Sequence, residues 1–467
     1  MLHGVHRLAG SDAGFLFIET PSQTSVCVDL VELAEPPEGT PPLTLTTLRA
    51  WFEERLPLIP PFRWRLEHVP LQLHHPLWIE DPDFDLDYHL RERTLPAPGG
   101  LEEIEAFHAE HLPLLLDHRH PLWRVTLVHG LDGGRRQALL FQIHHALADG
   151  AAILHTMAQL FHPLPDGPLP PLAPTEQPRR GKVLSQALRE QARSWRAIPS
   201  MFKDTKAKFA AAEARRAEEH PPVPRAMGDA PGTIFNLPGP PRRMTARTRV
   251  PLADLQQVRK AVGCTMNDVV LGVVGGGLRS YLAERGRLPE GSLVANVPVS
   301  GDPPGTPPRA WGNRFANFFV FLATDVDDPL ERLHTIAEGT VEAKVLLETQ
   351  GHFTLTEWLE RIPPFVGRRG ARWMIGRNAR NTEAADYNVL VSNVRFTDDD
   401  FAIAGTDVAA VYLTGPIGDD AGLNITVVGY GPWLHVTIDA SPVAVDDPHE
   451  LIDDLRASLA ALVACTA

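Results

Sequence analysis

Cysteine is scarce in this chain of 467 residues. Cys27, Cys264 and Cys465 are far apart and form no CxxC pair. That excludes a disulfide framework and suits free thiols in a reducing compartment. Long apolar runs are missing too. The longest, VVLGVVGGGL from Val269 to Leu278, is about half the roughly 20 residues that a bilayer span requires. The start, MLHGVHRLAGSDAGF, has no apolar stretch of the signal-peptide kind. Positive charge is in deficit. A net charge of −14 disfavours non-specific nucleic-acid binding, and no nucleic-acid motif, P-loop or GxGxxG is present. A cytoplasmic protein, soluble or held at a surface, is expected.

What is abundant is proline, with 44 residues, so rigid turns are frequent. Hydrophobic content of 43% and charged content of 22% are ordinary for a globular protein. The length exceeds one compact core and suits two domains of about 200 residues.

Ala138 to Ile143 reads as a short apolar strand, and Ile153, Leu154, Met157, Leu160 and Phe161 recur at helical spacing after it. HPLPDGPLPPLAPTEQPRRG, His162 to Gly181, reads as a linker. From Lys182 to Arg225 the pattern is helical and polar, with a sparse stripe of Leu184, Leu188, Trp195, Ile198, Phe202 and Phe209 and a break expected at Pro199. Between Arg179 and Arg225 twelve Lys or Arg face five Asp or Glu. Two readings stand: a solvated helical connector, or a basic amphipathic segment lying on an anionic lipid surface. After Thr245, Thr265 is placed to cap a helix apolar all round, hence buried. Strands are expected in SLVANVPVS, NRFANFFVFLAT, YNVLVSNV and VAAVYLTG, and a hairpin over Asn424–Gly431 and Trp433–Asp439. This divides the chain into 1–161, a linker over 162–244, and 245–467.

FQIHHALADGAAILH, Phe141 to His155, carries the chemistry. An imidazole at a strand end, just before a helix, is aimed by two rigid elements. It can take a proton from a hydroxyl or thiol near neutral pH. Asp149 is placed to cap the helix or to pair with an arginine, and Gly150 admits a conformation or approach that a side chain blocks. No Ser or Cys nucleophile lies beside the pair, so direct transfer fits better than a covalent intermediate. Zinc is disfavoured because adjacent strand residues point to opposite faces and HExxH is absent. A purely structural histidine pair is the other alternative. His74-His75-Pro76 lacks the Asp-Gly and the helix, and reads as a loop or surface feature.

HHxxxDG between a strand and a helix resembles the active-site motif of the CoA-dependent acyltransferase superfamily. The whole chain resembles the bacterial wax ester synthase/acyl-CoA:diacylglycerol acyltransferase family. The resemblance runs through LAGSDAGFLFIETPSQ, IPPFRWRL, WIEDPDFDLDYHLR, the PLW of HPLWRV, FNLPGPPRRM, MNDVVL, NVPVS, GNRFANFFVFL and VLVSNV, in that order. SNVRFT in place of the family's SNVPGP, TSVCVD in place of an early PMHVG-like stretch, and Gly301-Asp302 after PVS are departures. They leave acceptor and chain-length preference open.

The resemblance implies an α/β (α+β) fold of two pseudo-symmetric chloramphenicol-acetyltransferase-like domains joined by a helical crossover. It implies acyl transfer from acyl-CoA to a diacylglycerol or fatty alcohol in a tunnel between them. His145 is the expected general base, with His144 shaping the site and Asp149 and Gly150 holding its architecture. Asn267 is the candidate oxyanion donor, with helix capping as its alternative. Leu122, Trp123, Asp268, Ser392 and Asn393 are candidate substrate contacts, Leu122 and Trp123 being equally good core positions. No cofactor or metal is implied beyond the co-substrate acyl-CoA. A membrane or lipid-droplet surface is the expected partner, and monomer and homodimer both remain open. A condensation-type enzyme using carrier-bound acyl groups and an inactive lipid-binding protein are the competing functions.

Overall fold

The computed structural model describes residues 5–20, 23–171, 180–218, 220–225, 228–303, 305–351, 354–378, 383–396, 400–419 and 421–466. Two six-stranded mixed sheets organise it. The first runs in the order Ala402–Ile403, Thr406–Tyr412, Val26–Leu33, Arg136–His144, Trp123–Leu131, Leu90–Thr94. The second runs Phe315–Phe321, Val294–Ser300, Val389–Arg395, Leu423–Tyr430, Trp433–Ala440, Met244–Pro251. The expected strands and hairpin are all present.

The boundary at 245 needs one correction. Thr406–Tyr412 lies in the second half of the chain but pairs antiparallel with Val26–Leu33 in the first sheet. Pairing covers the edge that Val26–Leu33 would otherwise expose, so the halves exchange a strand as well as a linker. A second correction concerns the connector. One helix, Arg180–Arg216, passes through Pro199 and ends before Arg225. Proline removes one backbone donor, and Met201 and Ala212 beyond it stay buried, so packing holds the helix together. Residues 172–179 of the proline-rich linker lie outside the described residues.

The second sheet has two unlike faces. Registry puts Ala295, Val297, Val389, Val391, Ile425, Val427, Val436 and Ile438 on one side, where they join a core with the helices Leu252–Val262, Met266–Glu284, Pro329–Gln350 and Pro448–Cys465. Thr265 caps Met266–Glu284 as expected, accepting from Asp268 N. Its triple glycine allows close packing: a Cβ at Gly275 would meet Leu322 O at 2.5 Å, and one at Gly276 would meet Ser458 Oγ at 2.1 Å. The other face carries Asn296, Ser392, Asn424, Thr426, Thr437, Asp439 and Arg247. The first sheet and the helix Leu101–His111 cover it: Arg247 N donates to Glu105 at 2.9 Å, and Tyr412 of the crossing strand packs edge-on against His435. Asn296 Oδ1, Asn424 Nδ2 and Thr437 Oγ1 are buried there without a partner among the described residues. Groups of this kind call for water or ligand. A sheet with one greasy and one polar buried face marks the space between the domains as polar.

Candidate active site

The strand Arg136–His144 ends at the junction of the two halves. His144 N donates to Leu122 O at 3.0 Å, and His145 N donates to Ser25 O at 2.7 Å. Leu147 N then bonds back to His144 O at 2.8 Å, a tight turn that leads into the helix Gly150–Phe161. Asp149 caps that helix, accepting from Ala152 N at 3.1 Å. The two histidines point to different surroundings, as alternation along a strand requires.

His144 is fully buried. Ala146 N donates to its Nδ1 at 3.0 Å, so its proton sits on Nε2, which faces Glu19 at 3.1 Å. Glu19 also meets His118 at 3.0 Å. Burial pushes the Glu19 carboxyl up, but His118 and His144 outweigh it and hold it at about 2. Glu19, His118 and His144 bring one ligand atom each within 4.8 Å of one another. A metal on His144 Nε2 would strip the ring of its remaining proton, so the donor chemistry fits a hydrogen-bonded triad instead.

His145 is partly open. Its ring stacks on Phe15 at 4.0 Å and 15°, with Phe315 edge-on at 6.1 Å. Its Nδ1 lies 2.8 Å from Asn313 Oδ1. Asn313 Nδ2 donates to Asp12 Oδ1 at 2.8 Å and to His145 O at 2.7 Å, and Asn313 N also reaches Asp12 Oδ1, at 2.7 Å. With the amide hydrogens committed, Oδ1 is the acceptor and Nδ1 must carry the proton. Nε2 is left with a free lone pair. Burial lowers the imidazole's pKa, against the attraction of Asp149 and the bond to Asn313, so the neutral base dominates at pH 7.

Asn313 belongs to a loop of the second half that docks here. Gly312 N donates to Leu147 O at 2.7 Å, and Arg314 N donates to Asp149 Oδ2 at 2.8 Å. Arg309 Nη2 grips both Asp149 oxygens at 3.0 and 2.7 Å. The site is therefore composite: His145 comes from one half of the chain, and Asn313 and Arg309 reach it and Asp149 from the other.

Residues 8–270 match the wax ester synthase/diacylglycerol acyltransferase catalytic domain, and residues 311–463 match the C-terminal domain of the same proteins. A putative diacylglycerol O-acyltransferase of Mycobacterium tuberculosis strain H37Rv is 34% identical over 477 residues, covering 98% of this chain and 97% of the relative. The wax ester synthase/diacylglycerol acyltransferase from Marinobacter aquaeolei VT8 has a similar fold, with a TM-score of 0.69, 24% identity and 99% of each chain covered. A trichothecene 15-O-acetyltransferase from Fusarium sporotrichioides also shares the fold, at a TM-score of 0.60 and 14% identity, covering 98% of this chain and 95% of its own. The chain belongs to the wax ester synthase/diacylglycerol acyltransferase family. Its fold is the two-domain α/β fold of these acyltransferases.

With the family settled, the remaining candidate residues divide sharply. Leu122 and Trp123 are buried in the core packed on the first sheet. Trp123 is 1% exposed, stacks on Phe62 and His89 at 4.5 and 4.3 Å, and donates to Phe62 O at 2.7 Å. Asp268 is also structural: it completes the capping box on Thr265 N at 2.8 Å and accepts from Thr340 at 2.6 Å. Capping thus falls to Thr265 and Asp268, and Asn267 is free of that role. Asn267 Oδ1 accepts from Asn393 Nδ2 at 3.4 Å. Among the described residues no hydrogen bond joins Asn267 to the histidine pair. Ser392 lies on the polar face between the domains, while Asn393 faces the opposite way, toward the helix start. A Cβ at Gly150 would meet Val394 at 3.6 Å, an ordinary contact at an ordinary backbone angle, so neither conformation nor crowding demands glycine. His75 is buried, facing Leu359 O at 2.9 Å, and so belongs to the packing and not the surface.

Asp12, Arg309 and Asn313 join the site through contacts that no sequence spacing announces. LAGSDAGF and GNRFANFF carry two of them, and both stretches stood out only for resemblance. A cavity of about 440 Å³ opens elsewhere, between the linker helix, Arg7, His74 and Glu360. Neither catalytic-motif histidine lines it.

Proposed function

We propose that His145 is the general base with which this acyltransferase moves a long-chain acyl group from acyl-CoA to the hydroxyl of a diacylglycerol or long-chain alcohol, forming triacylglycerol or wax ester. The supporting observation is the fixed tautomer: Nδ1–H is committed to Asn313, and Nε2 is free. Nε2 takes the acceptor's hydroxyl proton as its oxygen attacks the thioester carbonyl. The tetrahedral intermediate collapses, the C–S bond breaks, and the imidazolium returns the proton to the CoA thiolate. Such proton transfer contributes about 10²–10⁴-fold. Holding both substrates in one polar interdomain space contributes through orientation. Asn267 is the oxyanion donor of this reading: Asn393 engages its Oδ1, leaving Nδ2 hydrogens for the developing charge.

The acceptors are lipids, so the enzyme works at a lipid surface. Among the described residues no single helix is long and apolar enough to cross a membrane, and the linker helix supports peripheral contact instead. Leu188, Trp195, Phe202 and Phe209 are 51%, 58%, 62% and 49% exposed. Their seven-residue spacing lines them along one side of the helix. Arg189, Arg196 and Lys203 follow the first three directly, giving a basic stripe beside an apolar one.

The test is ester formation from labelled palmitoyl-CoA, with hexadecanol and dioleoylglycerol offered separately, beside His145→Ala. Ester from wild type and none from the folded variant supports the base, and the product ratio names the acceptor. An unimpaired His145→Ala overturns the assignment.

A further inference from the structure

The two faces of the Asn313 side chain are used in opposite senses. Its nitrogen faces acceptors only: the Asp12 carboxylate and the His145 carbonyl. Its oxygen faces the imidazole Nδ1. Rotating the amide by half a turn would set an oxygen against two acceptors and an NH₂ against Nδ1. That would lose the two amide N–H bonds and reverse the sense of the third, moving the imidazole proton from Nδ1 to Nε2, in a buried setting where each unmet polar group is costly. The amide therefore has one stable orientation, and Asp12 is what selects it. Asp12 is itself 3% exposed, and its partner across the domains is Asn313, through both the backbone N–H and the side-chain amide. Ser11, its neighbour, reaches Asn313 O at 3.2 Å, so the helix Gly10–Ile18 holds the loop at two points.

We propose that Asn313 and Asp12 are positioning residues that fix the tautomer and ring angle of His145. The inference rests on His145 being the base. An imidazole free to swap tautomers presents a proton instead of a lone pair at Nε2 for part of the time, and a free ring spends time turned away from the hydroxyl. Phe15 restrains the ring plane by stacking, but stacking is indifferent to which nitrogen holds the proton. Only a directional acceptor opposite Nδ1 decides that, and the acceptor here is an amide oxygen from the other half of the chain. The proton on Nδ1 is never transferred; it is held. Asn313 touches no substrate atom in this account.

The same geometry explains why the docking loop follows a fixed path. Gly312 and Arg314 bond to Leu147 and Asp149 on either side of Asn313. Backbone bonds thus place the amide, and Asp12 turns it.

Steady-state kinetics with palmitoyl-CoA and the better acceptor test the proposal. Asn313→Ala is expected to lower kcat by about 10²–10⁴-fold, the range for a mis-set catalytic histidine, with both KM values within about threefold of wild type. Asn313→Asp keeps an oxygen opposite Nδ1, and Asp12 can hold a proton toward it because burial pushes that carboxyl up to about 7. It is expected to recover about tenfold or more over Asn313→Ala. A merely structural role predicts the reverse, since a second buried carboxylate beside Asp12 disturbs packing more than a methyl group. Folded Asn313→Ala with kcat within about threefold of wild type, or Asn313→Asp no better than Asn313→Ala, overturns the proposal. If Asn313→Ala does not fold, Asp12→Ala takes its place under the same criterion. His145→Ala run alongside separates the two failures: an active His145→Ala removes the base itself, whereas an inactive one with an active Asn313→Ala removes only the positioning pair.

Discussion

Arg309 closes a two-pronged ion pair on Asp149, with Nη2 at 3.0 and 2.7 Å from its two oxygens, and the partners come from opposite halves of the chain. Asp149 also caps its own helix and accepts from Arg314 N. Arg309 also holds Asp302 at 2.8 Å. The pair is thus a fastener between domains and a brace for the histidine loop. Asp149→Asn and Arg309→Ala are each expected to cost about 1–3 kcal/mol in denaturant unfolding, from an unmet partner in a mostly buried site. The double variant should cost less than the sum by about 1 kcal/mol or more. Strict additivity would show that the pair does not couple.

The same aspartate acts on the His145 imidazole. Burial lowers the His145 pKa below its ordinary value, while Asp149 and the Asn313 bond raise it and His144 lowers it further. With His145 as the proposed base, the neutral form is the active one. Activity should therefore rise with pH to a plateau already reached near pH 7, with its acid limb below the ordinary histidine value of about 6.5. Asp149→Asn removes an attraction for the imidazolium, so its limb should lie at lower pH than that of wild type. A pH profile of kcat/KM reads both, and a limb moving upward in Asp149→Asn would contradict the electrostatics.

The histidine loop was readable in the sequence because its parts are contiguous: strand, His144-His145, Asp149, then a helix. Asp149 was expected either to cap or to pair, and it does both. The capping of Met266–Glu284 by Thr265 was equally local. What escaped detection is long-range. Asn313 lies 168 positions from His145, and Asp12 lies 301 from Asn313. No spacing rule connects such residues. The crossing strand Thr406–Tyr412 escaped for the same reason, because pairing partners are a tertiary choice. Trp123 was ambiguous because a buried tryptophan and a channel tryptophan look alike in a string; its indole bond to Phe62 O favours the core.

That bond makes a prediction of its own. Trp123→Ala should destabilise the fold by about 3–5 kcal/mol, through the cavity and the orphaned carbonyl. Trp123→Phe should cost less and leave the ratio of wax ester to triacylglycerol product unchanged. An altered ratio in folded Trp123→Phe would return Trp123 to the substrate channel.

Asp29 is 1% exposed, and burial pushes its carboxyl up to about 7, against a bond from Thr414 N. Its folded pKa is raised above the unfolded value, so its contribution is fully present at low pH and is lost as pH rises from about 4 through 7. Asp29→Asn removes that loss while keeping an acceptor for Thr414. The variant should match wild type near pH 4 and exceed it by a few kcal/mol at most above pH 7, at about 1.4 kcal/mol for each tenfold difference in proton affinity between folded and unfolded chain. Denaturant midpoints measured across this range check the sign; a gain confined to acid pH would refute it.

The exposed stripe on the linker helix predicts a binding phenotype that is separable from catalysis. On the linker helix the inward side is Val183, Ala187, Gln191, Met201 and Ala212. Leu188, Trp195 and Phe209 are therefore additional to what packing uses, while Phe202, though exposed, also meets Trp358 edge-on at 4.7 Å. From Leu188 to Phe209 the stripe spans about 30 Å at 1.5 Å per residue, and the adjoining arginines and lysine favour anionic headgroups by about 1 kcal/mol each near the surface. Wild type should co-sediment with vesicles of phosphatidylcholine and phosphatidylglycerol better than with phosphatidylcholine alone, and salt should weaken the binding. Trp195→Ser with Phe202→Ser should reduce binding to both, because apolar insertion is lost. Arg189→Gln, Arg196→Gln and Lys203→Gln together should remove only the preference for anionic vesicles. With detergent-solubilised acceptor all these variants should keep wild-type kcat, since none touches the histidine loop. Equal binding of wild type and both variants would exclude the stripe as the lipid contact. A dimer lost in Trp195→Ser with Phe202→Ser, at unchanged vesicle binding, would instead assign the stripe to self-association.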